Sequence, residues 1–94
     1  MIHIDAETLD IIRKLKAAAL PESAELIAFG SRVNSEPPKL ADLDIAVKNA
    51  SPEDIAQFAE YLAVAPTSAR VDISDFNTIP DWLKQEVNTK GEKF

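Results

Sequence analysis

The residues in this chain best suited to chemistry are three aspartates and a glycine–serine pair. Gly30-Ser31 closes one apolar segment, and ten residues later Asp42-Leu43-Asp44 opens another. In an extended strand alternate side chains share a face, so Asp42 and Asp44 project from one side about 6.6 Å apart along the strand. Leu43, Ile45 and Val47 project from the other side, toward a core. Asp72 sits in a third apolar segment with the same pattern, Val71 and Ile73 behind and the carboxylate in front. If the second and third strands are neighbours, three carboxylates gather on one sheet face and repel one another. A divalent cation relieves that repulsion, and carboxylate oxygens are the ligands Mg²⁺ takes. A carboxylate less committed to the cation accepts the proton of an attacking hydroxyl, and Asp72 is the candidate for that role. Backbone N–H groups after Gly30, with the Ser31 hydroxyl, suit a phosphate. The expected chemistry is phosphoryl or nucleotidyl transfer.

Each piece alone is weak. A bare Asp-x-Asp is common and is usually a solvated strand edge, a Gly-Ser pair is usually a turn, and a single Asp72 is a surface acid. Their conjunction in this order and spacing carries the reading. Arg32 stands between two roles, a phosphate or substrate contact and a salt bridge to Glu36 or another nearby acid.

The elements that must hold these residues follow from periodicity and punctuation. Asp5 or Thr8 caps a first helix reaching about Leu20, where Pro21 stops it, with Leu9, Ile12, Leu15 and Ala19 on one stripe. Arg13, Lys14 and Lys16 form its basic flank, read as solvated, with Arg13 or Lys16 reaching a triphosphate as the alternative. Ala24 to Phe29 is a first strand without alternation, as expected when both faces are covered. Pro37-Pro38 place an exposed loop at 35–41. After the second strand, Asp42 to Lys48, Ser51-Pro52-Glu53-Asp54 is a strong helix start. Ile55, Phe58, Ala59 and Leu62 give that helix an apolar stripe. Arg70 to Ser74 is the third strand. A last helix runs from Pro80 to about Asn88, and Glu92-Lys93-Phe94 can add an edge strand. Tyr61 and Trp82 read as core or interface residues, and His3 as a surface residue.

Ninety-four residues, 46% apolar and 28% charged, describe one globular domain spanning 1–94. The net charge of −6 disfavours passive binding to nucleic acid or to an anionic membrane. It suits a protein that recruits a cation before it meets a phosphate. Without cysteine there is no disulfide and no thiol chemistry. Asp5 and Glu7 precede any apolar segment, unlike a secretory signal, and no apolar run approaches a membrane span. The expected location is cytoplasmic.

Phe29-Gly30-Ser31-Arg32, the ten-residue gap and Asp42-Leu43-Asp44-Ile45-Ala46-Val47 resemble the minimal nucleotidyltransferase (MNT) domains of the DNA polymerase beta-like nucleotidyltransferase superfamily. Val71-Asp72-Ile73 and the Pro-containing helix extend the likeness over nearly the whole chain. The chain departs from the pattern at Val33-Asn34-Ser35, where members commonly have a glycine, and at Ala41, often a serine. The resemblance implies an α/β (α+β) fold, a small mixed sheet with helices packed on one face. It implies Mg-ATP as donor, with Gly30, Ser31 and Arg32 at the nucleotide and Asp42, Asp44 and Asp72 at one or two Mg²⁺ ions. It further implies an MntA-like antitoxin of HEPN/MNT pairs, transferring AMP to a hydroxyl, a tyrosine, of a HEPN toxin. A stable complex, homo- or hetero-oligomeric, completes the site. Two alternatives stay open: a catalytically silent antitoxin that acts by binding, and transfer to a small molecule.

Overall fold

The computed structural model describes residues 4–30, 43–67 and 70–94. Ser31, Arg32, Asp42, His3 and the loop expected at 35–41 lie outside the described residues. Helix α1 (Ala6–Ala19) begins at Asp5, whose carboxylate accepts a hydrogen bond from the Thr8 N–H at 3.0 Å. That bond satisfies one of the first-turn N–H groups that no helix can pair internally. Its apolar stripe buries Ile12 completely and leaves Leu15 and Ala19 partly covered. The helix stops just before Pro21, which cannot continue it.

Strand β1 (Glu25–Phe29) runs antiparallel to β2 (Leu43–Lys48), with Leu26 opposite Val47 and Phe29 opposite Asp44. After β2 the chain turns through Asn49, at φ 60°, a left-handed conformation that asparagine tolerates. Helix α2 (Pro52–Val64) starts as its sequence predicts: the Ser51 hydroxyl accepts from the Asp54 N–H at 3.2 Å and proline fills the first turn. The helix carries the chain back so that β3 (Val71–Asp75) pairs parallel with β2. Helix α3 (Asp81–Lys90) then leads to β4 (Glu92–Lys93), antiparallel to β1. The sheet order is β3-β2-β1-β4, a mixed four-stranded sheet.

Two apolar clusters sandwich the sheet. Leu26, Ala28, Leu43, Ile45 and Val47 face Ile12 of α1 and Ile55, Phe58 and Leu62 of α2. On the other face Ile27, Phe29 and Ala46 meet Val87 of α3, with Phe76, Ile79 and Leu83 at the margin. The α+β class and the mixed sheet are as expected, but cover goes beyond one face. The spacing of Ile79, Leu83 and Val87 marks an amphipathic helix without saying which face it meets. The exposed apolar surface of Ile27 and Phe29 decides, because only α3 remains to bury it. The end of α3 is also two residues later than expected. Trp82 is 69% exposed and Tyr61 39%, so neither is a core residue.

Among the described residues no helix is long and apolar enough to cross a membrane.

Candidate metal and nucleotide site

Alternation along β2 separates Leu43, Ile45 and Val47, all fully buried, from Asp44, half-buried on the opposite face. The parallel register sets Asp72 of β3 directly beside Asp44. Neighbouring strands are about 4.8 Å apart, so two carboxylates lie side by side on one face. Val71 and Ile73 turn to the α1–α2 core, leaving Asp72 exposed. The antiparallel register on the other side sets Phe29 opposite Asp44, and the chain then turns sharply at Gly30, φ +83°. A side chain there would be strained, and its Cβ would stand 2.8 Å from Asp44 Oδ2. The glycine therefore keeps a space open against that carboxylate oxygen. Gly30, Asp44 and Asp72 thus form a line across three adjacent strands, over the apolar floor of Phe29 and Ala46.

Hard oxygen donors beside a backbone turn suit a small divalent cation near a phosphate. Two of the three expected carboxylates are brought together. Asp42 lies outside the described residues, and among those described no group of three His, Cys, Asp or Glu side chains forms a metal-binding set. The donor chemistry and the cradle at Gly30 fit Mg²⁺, with Asp44 and Asp72 as two of its candidate ligands. Gly30 is at the turn where a phosphate is expected, and Ser31 and Arg32 continue the chain beyond the described residues.

Arg13 and Lys16 do not approach this line. They border a separate groove of about 510 Å³ with Leu20, Pro21 and Phe94. That groove is on the α1 side of the sheet, away from the face that carries Asp44 and Asp72, so neither side chain reaches a triphosphate held there. The solvated basic flank is the reading that stands.

A second groove, of about 530 Å³, opens beside Asp72 and is lined by Leu62, Ala63, Ala65, Thr67, Arg70, Val71 and Asp72. Sequence reading placed Arg70 as the first residue of the third strand, on the face it shares with Asp72 and Ser74, and gave it no role. Its signal was that shared face, two residues before Asp72.

No protein-family model and no curated protein sequence matches the chain. Solved structures do. The crystal structure of a toxin-antitoxin with AMP-PNP aligns at TM-score 0.69 and 28% identity, over 89% of this chain and 69% of its own. The chain shares the fold of that toxin-antitoxin structure, the nucleotidyltransferase fold expected from its sequence. A toxin-antitoxin MntA-HpeT mutant, carrying two aspartate-to-glutamate changes two positions apart, aligns over the same shares of the two chains at TM-score 0.62. Its 22% identity supports the fold alone. The fold is thus one found in toxin–antitoxin structures, and the carboxylate pair sits on the sheet face that α3 partly covers.

Proposed function

We propose that this chain is the antitoxin of a toxin–antitoxin pair and acts as a nucleotidyltransferase, moving AMP from Mg-ATP to a tyrosine hydroxyl of a HEPN-type toxin. The observation that carries the reading is the register that aligns Asp44 with Asp72, with Gly30 held against Asp44. The toxin-antitoxin neighbour with AMP-PNP supports the reading.

In this mechanism Asp42 and Asp44, with Asp72, would hold one or two Mg²⁺ ions. Bound there, Mg²⁺ would neutralise charge on the triphosphate as it grows in the transition state. The turn at Gly30, with Ser31 and Arg32, holds the terminal phosphates. Asp72 is more exposed than Asp44, and it takes the proton from the acceptor hydroxyl. The hydroxyl oxygen bonds to the α-phosphorus, the bond from that phosphorus to pyrophosphate breaks, and pyrophosphate leaves with the electron pair.

Intact-mass spectrometry of the neighbouring gene's product, incubated with this protein and Mg-ATP, tests the reading. The expected result is a gain of one or more AMP units, absent with Asp42→Asn/Asp44→Asn. A stable complex without any mass gain would instead establish an antitoxin that acts by occlusion. Mass gain with the double variant would refute the metal-site argument.

A further inference from the structure

The groove beside Asp72 runs from the last turn of α2 to the start of β3, and Leu62, Thr67, Arg70 and Asp72 border it. Gly30 and Asp44 stand on the strands to the other side of Asp72 and do not line it. Asp72, on the edge strand, therefore lies between two spaces: the phosphate side on its own face of the sheet, and this groove, which wraps around the edge from the α2 side.

Three features identify the occupant. Arg70 is exposed and makes no ion pair among the described residues, whereas Lys14, Lys84 and Lys93 each meet an acid. In a chain of net charge −6, that leaves a cation available at the mouth of the groove. Strand β3 is a sheet edge that pairs only with β2 among the described residues, so its outer N–H and C=O groups can bind an extended segment. The last turns of α2, which also lend Leu62, Ala63 and Ala65 to the groove, expose Val64 at 85% and Tyr61 at 39%, an apolar rim outside the groove lining of the kind protein partners cover. A small molecule would use none of that rim.

Resting on the transferase reading, we infer that this groove is the acceptor site and that it takes an extended protein segment. An Asp or Glu of that segment pairs with Arg70, which sets the acceptor hydroxyl at Asp72. Arg70 is a positioning residue that selects acceptors by charge, while Asp72 handles the proton.

The experiment measures AMP incorporation into the neighbouring gene's product against acceptor concentration, with the modified hydroxyl located by fragment mass spectrometry. The inference expects an Asp or Glu within a few residues of that hydroxyl. Arg70→Glu should raise the acceptor KM about tenfold, by loss of attraction and gain of repulsion, with Mg-ATP binding unchanged. Arg70→Lys should stay close to wild type, and reversing the acceptor's acid to Lys should restore transfer by Arg70→Glu. Restoration by charge reversal is a result that a structural role for Arg70 does not give. Should Arg70→Glu fail to fold, Arg70→Ala at this exposed position should raise the acceptor KM in its place. Wild-type transfer with an unaltered KM in both variants overturns the acceptor site and leaves the transferase reading standing. Modification of free tyrosine as fast as of the protein also overturns it. No transfer by the wild-type chain removes the reading and the inference together.

Discussion

Gly30→Ala is the sharpest probe of the site, because two separate costs meet at one atom. At φ +83° an L-residue is strained by about 1–2 kcal/mol. The added Cβ would also stand 2.8 Å from Asp44 Oδ2, closer than a carbon and an oxygen tolerate, so the carboxylate must turn away. The combined cost is about 2 kcal/mol, which in a chain of this size lowers Tm by about 8–16 °C. Turning Asp44 should also weaken Mn²⁺ binding, used as a spectroscopic stand-in for Mg²⁺, by about tenfold. Thermal unfolding by circular dichroism and a Mn²⁺ titration followed by electron paramagnetic resonance read the two effects. Gly91→Ala is the control. Its φ of −70° is ordinary, yet its Cβ would meet Ile27 Cγ2 and the Val87 carbonyl at 2.5 Å. That variant should lose stability while its Mn²⁺ affinity stays at wild type. A Gly30→Ala protein with wild-type Tm and wild-type Mn²⁺ affinity would falsify the claim that Gly30 is there to clear space at Asp44.

Two further outcomes follow from the core and from the sheet edge. Phe58 is fully buried between α2 and the sheet, so Phe58→Ala should cost about 3–5 kcal/mol in urea unfolding, and a loss below about 1 kcal/mol would mean the core is misplaced. Lys93 Nζ donates to Glu25 Oε1 at 3.0 Å and, chiefly through that bond, holds the Glu25 carboxyl below its usual 4.5. A depressed carboxylate pKa stabilises the folded state above the unfolded value and loses that contribution as pH falls through the folded one. Lys93→Met should therefore be less stable than wild type near neutral pH, with the gap closing as pH drops below 4.5 and narrowing in high salt. A gap that is constant with pH would show that Lys93 acts through packing instead.

Much of the local structure was legible in the chain itself. Asp5 three residues before Thr8, and Ser51-Pro52 with Ser51 three before Asp54, are caps that act within one turn, so helix starts could be read without any partner. The alternation of Leu43, Ile45 and Val47 against Asp44, like that of Val71 and Ile73 against Asp72, assigned faces because side-chain direction in a strand is local. Composition and spacing thus determined the elements and put Asp44 and Asp72 each on the polar face of its own strand.

Tertiary structure alone decided how those elements meet. Nothing in the spacing specifies that Asp44 stands beside Asp72 and not two residues away, since register depends on pairing between segments 28 positions apart. The closeness of Gly30 to Asp44 likewise comes from the β1–β2 register and the turn that follows it. The face taken by α3 was settled by apolar surface on Ile27 and Phe29 that the helix sequence does not contain. The groove that joins Arg70 to Asp72 exists because α2 ends above the edge strand, and Arg13 and Lys16 are cut off from the carboxylates by the sheet between them. Periodicity acts over a few residues and is written in the sequence, whereas register, facing and enclosure arise only when distant segments bury their apolar surfaces against one another.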